Sequence, residues 1–306
     1  MGLTAADERQ EAVTEQLPPH VIAQLTGMNP EITPELVAGS WALLKPFHDR
    51  AGYAAPAITR DLHYGEHPRH RLDVHTSGTE NSAPVLMFVH GGGFTGGDKL
   101  VPGTPEYDHI GAWAVRNGWV GVTITYRLAP EFTWPSGARD TASAVQWVRD
   151  NIASYGGDPA RIVIAGHSAG CVHVASYLAD HGGGSLDGVK GAGLLSGFYQ
   201  IPDGAERGDL EASYFGDRPS AEVSTLPGLL ETPIPLIFAV AERDPRFMHA
   251  QAAALTAAWF AHKGTTPHVI WSEGHNHISQ IGSVGVDDLA LAAPLARFVN
   301  RVTRQP

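Results

Sequence analysis

The chain is poor in cysteine: Cys171 is the one cysteine among 306 residues, so no internal disulfide can form. A reducing compartment fits that scarcity. Positive charge is also in short supply. Lys and Arg number 21 against 32 Asp and Glu, a formal net charge of −11, which argues against nucleic acid or an anionic membrane surface as a partner. No stretch approaches the ~20 apolar residues that a membrane span needs. The first residues carry Asp7, Glu8, Glu11 and Glu15 and lack the apolar core of a secretory signal. The expectation is a soluble, cytoplasmic protein. What is present suits a large buried core: hydrophobic residues make up 43% and charged residues 17%, an ordinary globular balance.

Residues 1–19 are polar, end in Leu17-Pro18-Pro19, and read as a loosely attached arm. Two helical patterns follow, around Ile22–Met28 and Leu36–Phe47. In the second, Thr33 suits a cap and Pro34 the first turn, and Leu36, Val37, Trp41, Leu44 and Phe47 recur at helical spacing. These helices must dock on something, either over a site or on a sheet edge. From residue 58 the rhythm changes. Two strands, 58–65 and 69–77, suggest an antiparallel start; apolar runs at 85–90, 120–127, 161–166, 189–195, 234–241 and 267–272 then alternate with helical patterns. The helices fall near 106–117, 137–153, 169–181, 247–262 and 287–302. That alternation predicts a mostly parallel sheet covered on both faces. The expected division is an arm and helical cap region, 1–57, and an α/β domain, 58–306. Within the latter, 199–232 breaks the alternation and reads as a pocket-forming insertion.

The sharpest chemical signal is Gly166-His167-Ser168-Ala169-Gly170, a G-x-S-x-G element with a strand pattern before it and a helical one after. A tight strand-to-helix turn crowds the backbone, so side chains at Gly166 and Gly170 would clash. The same turn projects the Ser168 hydroxyl outward, beside a helix N-terminus that favours developing negative charge. Ser168 is therefore the candidate nucleophile. Upstream, Val85–Val89 runs into His90-Gly91-Gly92-Gly93, an element whose backbone N–H groups can approach a reacting carbonyl oxygen. The expected oxyanion donors are the N–H groups of Gly92, Gly93 and Ala169, with the choice among the glycines open. Gly91-x-Gly93-x-x-Gly96 also matches a dinucleotide fingerprint. That reading fails because Asp98 to Pro105 delays the helix, and Gly111 to Ile124 contains no acid for a ribose.

A serine nucleophile needs a base and an acid that orients it, here expected in the chain order Ser, Asp or Glu, His. After the strand Pro235–Ala241 the acids are Glu242 and Asp244; Asp244 precedes Pro245, which suits a residue leaving a strand end, and Glu242 is the reserve. The next strand leads to Ser272-Glu-Gly-His275-Asn-His277-Ile278-Ser279. Both imidazoles lie in what reads as the following loop. His277 is the preferred base and His275 the alternative. The His-x-His pair lacks an accompanying carboxylate or Cys/His pattern, so no metal and no cofactor are expected.

Taken together, His90-Gly-Gly-Gly93, Tyr126-Arg-Leu-Ala-Pro-Glu131, Trp134-Pro135, Gly157-Asp158-Pro159 with Arg161, and Gly166-His-Ser-Ala-Gly170 resemble the hormone-sensitive-lipase-like bacterial carboxylesterases. The resemblance runs from about residue 58 to the C-terminus. It implies an α/β-hydrolase fold, a triad of Ser168, Asp244 and His277, and oxyanion donors Gly92, Gly93 and Ala169. Two positions depart from the pattern: His167 stands where that family has Asp, and Ile278-Ser279 where it has Gly-Phe. The ending Asn276-His277-Ile278-Ser279, with Asp244-Pro245-x-Phe247 before it, looks more like arylformamidases. This supports His277 over His275. The expected activity is hydrolysis of a small, short-acyl carboxylic ester through an acyl-enzyme. Arylformamidase or another small amidase is the alternative, and a non-catalytic ligand-binding member of the fold a third. The expected partner is a small ester molecule, and a homodimer stays open.

Overall fold

The protein is described by a computed structural model covering residues 16–203 and 207–304. Eight strands form one sheet: β1 (Ala57–His63), β2 (Arg71–Thr76), β3 (Ala83–Val89), β4 (Val120–Ile124), β5 (Gly157–His167), β6 (Val189–Leu195), β7 (Leu236–Arg243) and β8 (Val269–Asn276). Their order is β1-β2-β4-β3-β5-β6-β7-β8. β2 pairs antiparallel with β1 and with β4, and the remaining neighbours are parallel. The antiparallel start and parallel continuation follow the expected pattern.

Period-2 alternation in the central strands assigns side chains to two cores. Val85, Met87 and Val89 of β3, Ile162 and Ile164 of β5, and Phe238 of β7 face one layer. Leu86, Phe88, Val163, Ala165, Ile237 and Ala239 face the other. Helices α4 (Ser136–Asn151), α5 (Ala169–Leu178) and α9 (Arg246–Lys263) cover the first layer. Helices α3 (Asp108–Arg116) and α11 (Ala292–Val302) cover the second through Ile110, Trp113, Leu295 and Phe298. Because every central strand is buried on both faces, its sequence is a continuous apolar run and not an alternating one.

Ahead of the sheet lie α1 (Pro19–Gly27) and α2 (Pro34–Ala51). Thr33 Oγ1 accepts the Leu36 N–H at 3.2 Å, and Pro34 takes the first helical position, where its missing N–H costs nothing. Val21, Leu25 and Leu44 form a small separate core with Leu17 and Val286. Full burial of one such leucine contributes about 1.5–3 kcal/mol, and several together fix α1 and α2 to the domain. The stretch expected as an insertion carries α6 (Asp209–Phe215), α7 (Ser220–Val223) and α8 (Leu226–Glu231). Tyr214 and Phe215 of α6 are buried against Phe94.

Several boundaries differ from the sequence reading. β5 starts at Gly157, which pairs with Ala83, because Pro159 is compatible with extended backbone and does not end the strand. α11 starts at Ala292, not 287, since Asp288 turns inward to take the N–H groups of Leu17 and Ala290. Leu17 itself is buried, so the arm ends in a docked residue. Residues 1–15 of the arm and 204–206 of the insertion lie outside the described residues. The largest difference is α10 (His277–Gly282), where a loop was expected. Among the described residues, no helix is long and apolar enough to cross a membrane.

Candidate active site

Ser168 sits at the junction of β5 and α5 with φ 55° and ψ −124°, a conformation that a side-chain-bearing residue adopts rarely. Holding it there costs of order 1–3 kcal/mol. Packing across the turn supplies the restraint. A Cβ at Gly170 would lie 2.2 Å from the Val89 carbonyl oxygen and 2.4 Å from that of His90; one at Gly166 would lie 2.4 Å from the Gly170 oxygen. Only glycine lets α5 approach β3 this closely. Gly170→Ala is expected to lose about 1–3 kcal/mol of stability or more, read as a lower urea midpoint at unchanged m-value.

His277 is the first residue of α10, not a loop residue. The helix begins there because Asn276 and Ser279 form a reciprocal cap: Asn276 Oδ1 accepts the N–H groups of Ile278 (3.0 Å) and Ser279 (2.9 Å), and Ser279 Oγ accepts the Asn276 N–H (2.9 Å). The formamidase-like string Asn276-His277-Ile278-Ser279 thus has a structural reason of its own. His277 Nδ1 lies 2.6 Å from Asp244 Oδ1. Its Nε2 has no hydrogen-bond partner among the described residues, and His277 lines the same cavity as Ser168. Burial pushes the Asp244 carboxyl up. Hydrogen bonds from His277, Ser196 Oγ (2.7 Å) and the Ala241 N–H (2.7 Å) outweigh that and hold it below the ordinary carboxylate range.

The rival residues are engaged elsewhere. His275 Nε2 faces Asp288 Oδ2 at 3.3 Å and its Nδ1 lies 3.1 Å from Ser279 Oγ. His277 has beside it the aspartate expected to orient it, Asp244, whereas the partner of His275, Asp288, was not visible in the sequence pattern. Glu242 accepts the Gly274 N–H at 2.7 Å. His167, next to the candidate nucleophile, donates from Nε2 to the His277 carbonyl oxygen at 2.9 Å, its ring 4.7 Å from that of His277. Burial, helped by the neighbouring imidazole, pushes His167 down to about 3, so it is neutral at ordinary pH. Cys171 offers no competing nucleophile, because burial pushes its thiol up to about 12.

On the other side of Ser168, Gly92 has φ 131°, and a Cβ there would stand 2.2 Å from the Gly96 oxygen. The N–H groups of Gly92, Gly93 and Ala169 have no protein acceptor among the described residues. The glycine loop is braced by contacts that the motif alone did not reveal. Tyr126 donates to the His90 carbonyl at 2.8 Å, its ring stacked 4.4 Å from that imidazole. Arg69 bonds the carbonyls of Tyr126 (2.7 Å) and Gly97 (2.9 Å).

These groups open onto a cavity of about 660 Å³, within the usual range for small-molecule sites. α2 forms one wall through Val37, Ala38 and Trp41, and Phe198, Leu210 and Met248 contribute to others. α1 and α2 also pack on the start of α10: His48 Nε2 of α2 donates to the Gly282 carbonyl at 2.7 Å, and Asn276 Nδ2 donates to Leu25 O of α1 and Ser40 Oγ of α2. Away from this cavity, Asp73, His75 and Asp108 cluster with the spacing of metal ligands. Arg60 and Lys99 already neutralise the two carboxylates at 2.6–2.8 Å. That chemistry does not suit an added cation.

The family model described as BD-FAE matches residues 72–190. Esterase LipQ of Mycobacterium tuberculosis is 31% identical over 226 residues, covering 66% of this chain and 52% of the relative. The probable carboxylic ester hydrolase LipM of the same organism is 39% identical over 126 residues, 39% of this chain and 27% of the relative. The chain thus spans about half or less of the length of these curated relatives. Among solved structures, the Pyrobaculum calidifontis esterase superposes with a TM-score of 0.67 at 21% identity, covering 94% of this chain and 98% of that one. The carboxylesterase EstE1 from a metagenomic library gives 0.67 at 23% identity, covering 90% and 99%. The chain has the α/β-hydrolase fold, and the curated proteins and solved structures it resembles are esterases.

Proposed function

We propose that this protein hydrolyses small carboxylic esters, with Ser168 as nucleophile, His277 as general base and acid, and Asp244 orienting the imidazole. The observation that carries this reading is the His277–Asp244 pair, whose free Nε2 shares a cavity with the strained Ser168 and the glycine loop. Asp244 accepts the Nδ1–H and so keeps the Nε2 lone pair available. His277 takes the Ser168 proton as Oγ attacks the ester carbonyl. The oxygen that becomes negative needs donors at ~2.7–3.1 Å, a role for the N–H groups of Gly92, Gly93 and Ala169. His277 returns the proton to the leaving alcohol. Water, activated in the same way, then releases the acid from the acyl-Ser168 ester.

Short acyl chains are the expected substrates, because a walled cavity limits the apolar length it can bury. Across p-nitrophenyl esters, kcat/KM is expected to peak at acetate to butyrate and to fall at least tenfold by palmitate. N-formylkynurenine, assayed beside them, measures the formamide alternative. Faster cleavage of palmitate or of long-chain triglycerides would contradict the short-acyl reading, and a dominant formamide activity would replace it.

A further inference from the structure

Buried carboxylates in this protein come with partners. Asp73 and Asp108 have Arg60, Asp140 has Arg127, Asp244 has His277, and Asp288 has His275. Glu106, half-buried at the cavity wall, has no such partner among the described residues. It precedes α3 and lines the cavity beside Trp41 and Tyr107, and among the described residues no Lys, Arg or His forms an ion pair with it. The donors beside it, the Trp41 indole N–H and the Tyr107 hydroxyl, are neutral groups that favour the ionised carboxylate without cancelling its charge. Among the described residues, the other charged group in the cavity lining is Glu211, also a carboxylate, and neither Lys nor Arg contributes to the wall. An unpaired carboxylate in an apolar enclosure is costly unless a counter-charge arrives. Its neighbours Trp41 and Tyr107 in the cavity wall are aromatic, and aromatic faces attract organic cations.

Resting on the esterase reading above, we infer that the cavity selects esters bearing an organic cation, an ammonium group in the acyl or the alcohol part, with Glu106 as its counter-ion. Burial pushes the Glu106 carboxyl up to about 7. Above that pH it is ionised and attracts the cation; below it the carboxyl is neutral and the preference weakens. The titratable groups on the adjoining elements do not titrate in this range or are already engaged. Tyr107 is held protonated, His109 is pushed down to about 3 and His48 is also lowered, both mainly by burial. Lys99 is paired with Asp61 and Asp73, and Asp108 with Arg60.

Two isosteric pairs test this, one for each position of the charge. Choline butyrate is compared with 3,3-dimethylbutyl butyrate, and p-nitrophenyl 4-(trimethylammonio)butyrate with p-nitrophenyl 5,5-dimethylhexanoate. In the unmodified protein at pH 8, kcat/KM is expected to favour the cationic member of at least one pair by tenfold or more. The ratio should shrink at pH 6 and collapse towards one in Glu106→Gln, the neutral member in the same variant serving as the internal reference for folding. Ratios near or below one in both pairs, or a ratio unchanged in Glu106→Gln, would overturn the inference. Calorimetric titration of Ser168→Ala protein with phenyltrimethylammonium, against tert-butylbenzene, reads the subsite without turnover. Selective cation binding with no ester cleaved by the unmodified protein would reject the esterase reading and keep the cation site. Cleavage with no cation preference would do the reverse.

Discussion

Ser168→Ala protein is expected to lose on the order of 10⁴ or more in kcat while remaining folded. The loss is large because removing Oγ removes the covalent route; what survives is whatever the oxyanion donors and substrate binding supply over water. The fold should hold, since the restraint at position 168 comes from neighbouring backbone: the Ser168 N–H bonds the Leu195 carbonyl at 3.0 Å, and its carbonyl accepts the Val172 N–H at 3.2 Å. A fluorophosphonate probe should label Ser168 alone in the unmodified protein, and circular dichroism should not distinguish the variant. An active Ser168→Ala protein, or labelling at another residue, would remove Ser168 from the mechanism.

The second large effect separates two histidines two positions apart. His277→Ala is expected to abolish turnover, because among the described residues His277 is the imidazole hydrogen-bonded to Asp244, and burial holds the neighbouring His167 neutral with its Nε2 engaged. His275→Ala is expected to cost no more than tenfold to a hundredfold in kcat/KM, about 1.4–2.8 kcal/mol. Its larger effect should be on stability. His275 faces Asp288, which also anchors Leu17 and Ala290 and is 2% exposed. Removing one partner of a buried pair leaves an uncompensated charge, worth about 3 kcal/mol here. Both variants leave a buried aspartate without its imidazole and are expected to lose stability in urea, so kinetics separates them: His277→Ala dead, His275→Ala weakened but active. Equal loss of activity would leave the base unassigned, and the reverse ranking would transfer the role to His275.

Much of the architecture was readable in advance because its signals are local. The apolar runs at Val85–Val89 and Ile162–Ala165 are strands buried on both faces, and the glycines flanking Ser168 belong to a turn that tolerates no Cβ. Asp244 follows β7 where a strand-end acid was expected. Where His275 would go was not readable. His275 and His277 are separated by one residue, yet the Asn276–Ser279 cap starts a helix between them and sends the two rings to different aspartates. Asp288, eleven residues beyond His277, gave no sign of its role while it was read as part of a longer helix.

The chain order of Ser168, Asp244 and His277, the glycine loop and the parallel sheet were determined by the sequence itself, since each depends on backbone sterics, hydrophobic period or residues adjacent in the chain. Tertiary structure decided everything that depends on distance through space. It laid α2 against α10, so that a helix near the N-terminus forms a wall of the cavity. It also left the Glu106 carboxyl without a cation while partnering the buried aspartates. The reason is physical: a contact such as Asn276 with Ser40 joins residues 236 positions apart. No local propensity encodes such a pairing, and only the packing of the whole chain reveals which charges remain unmatched.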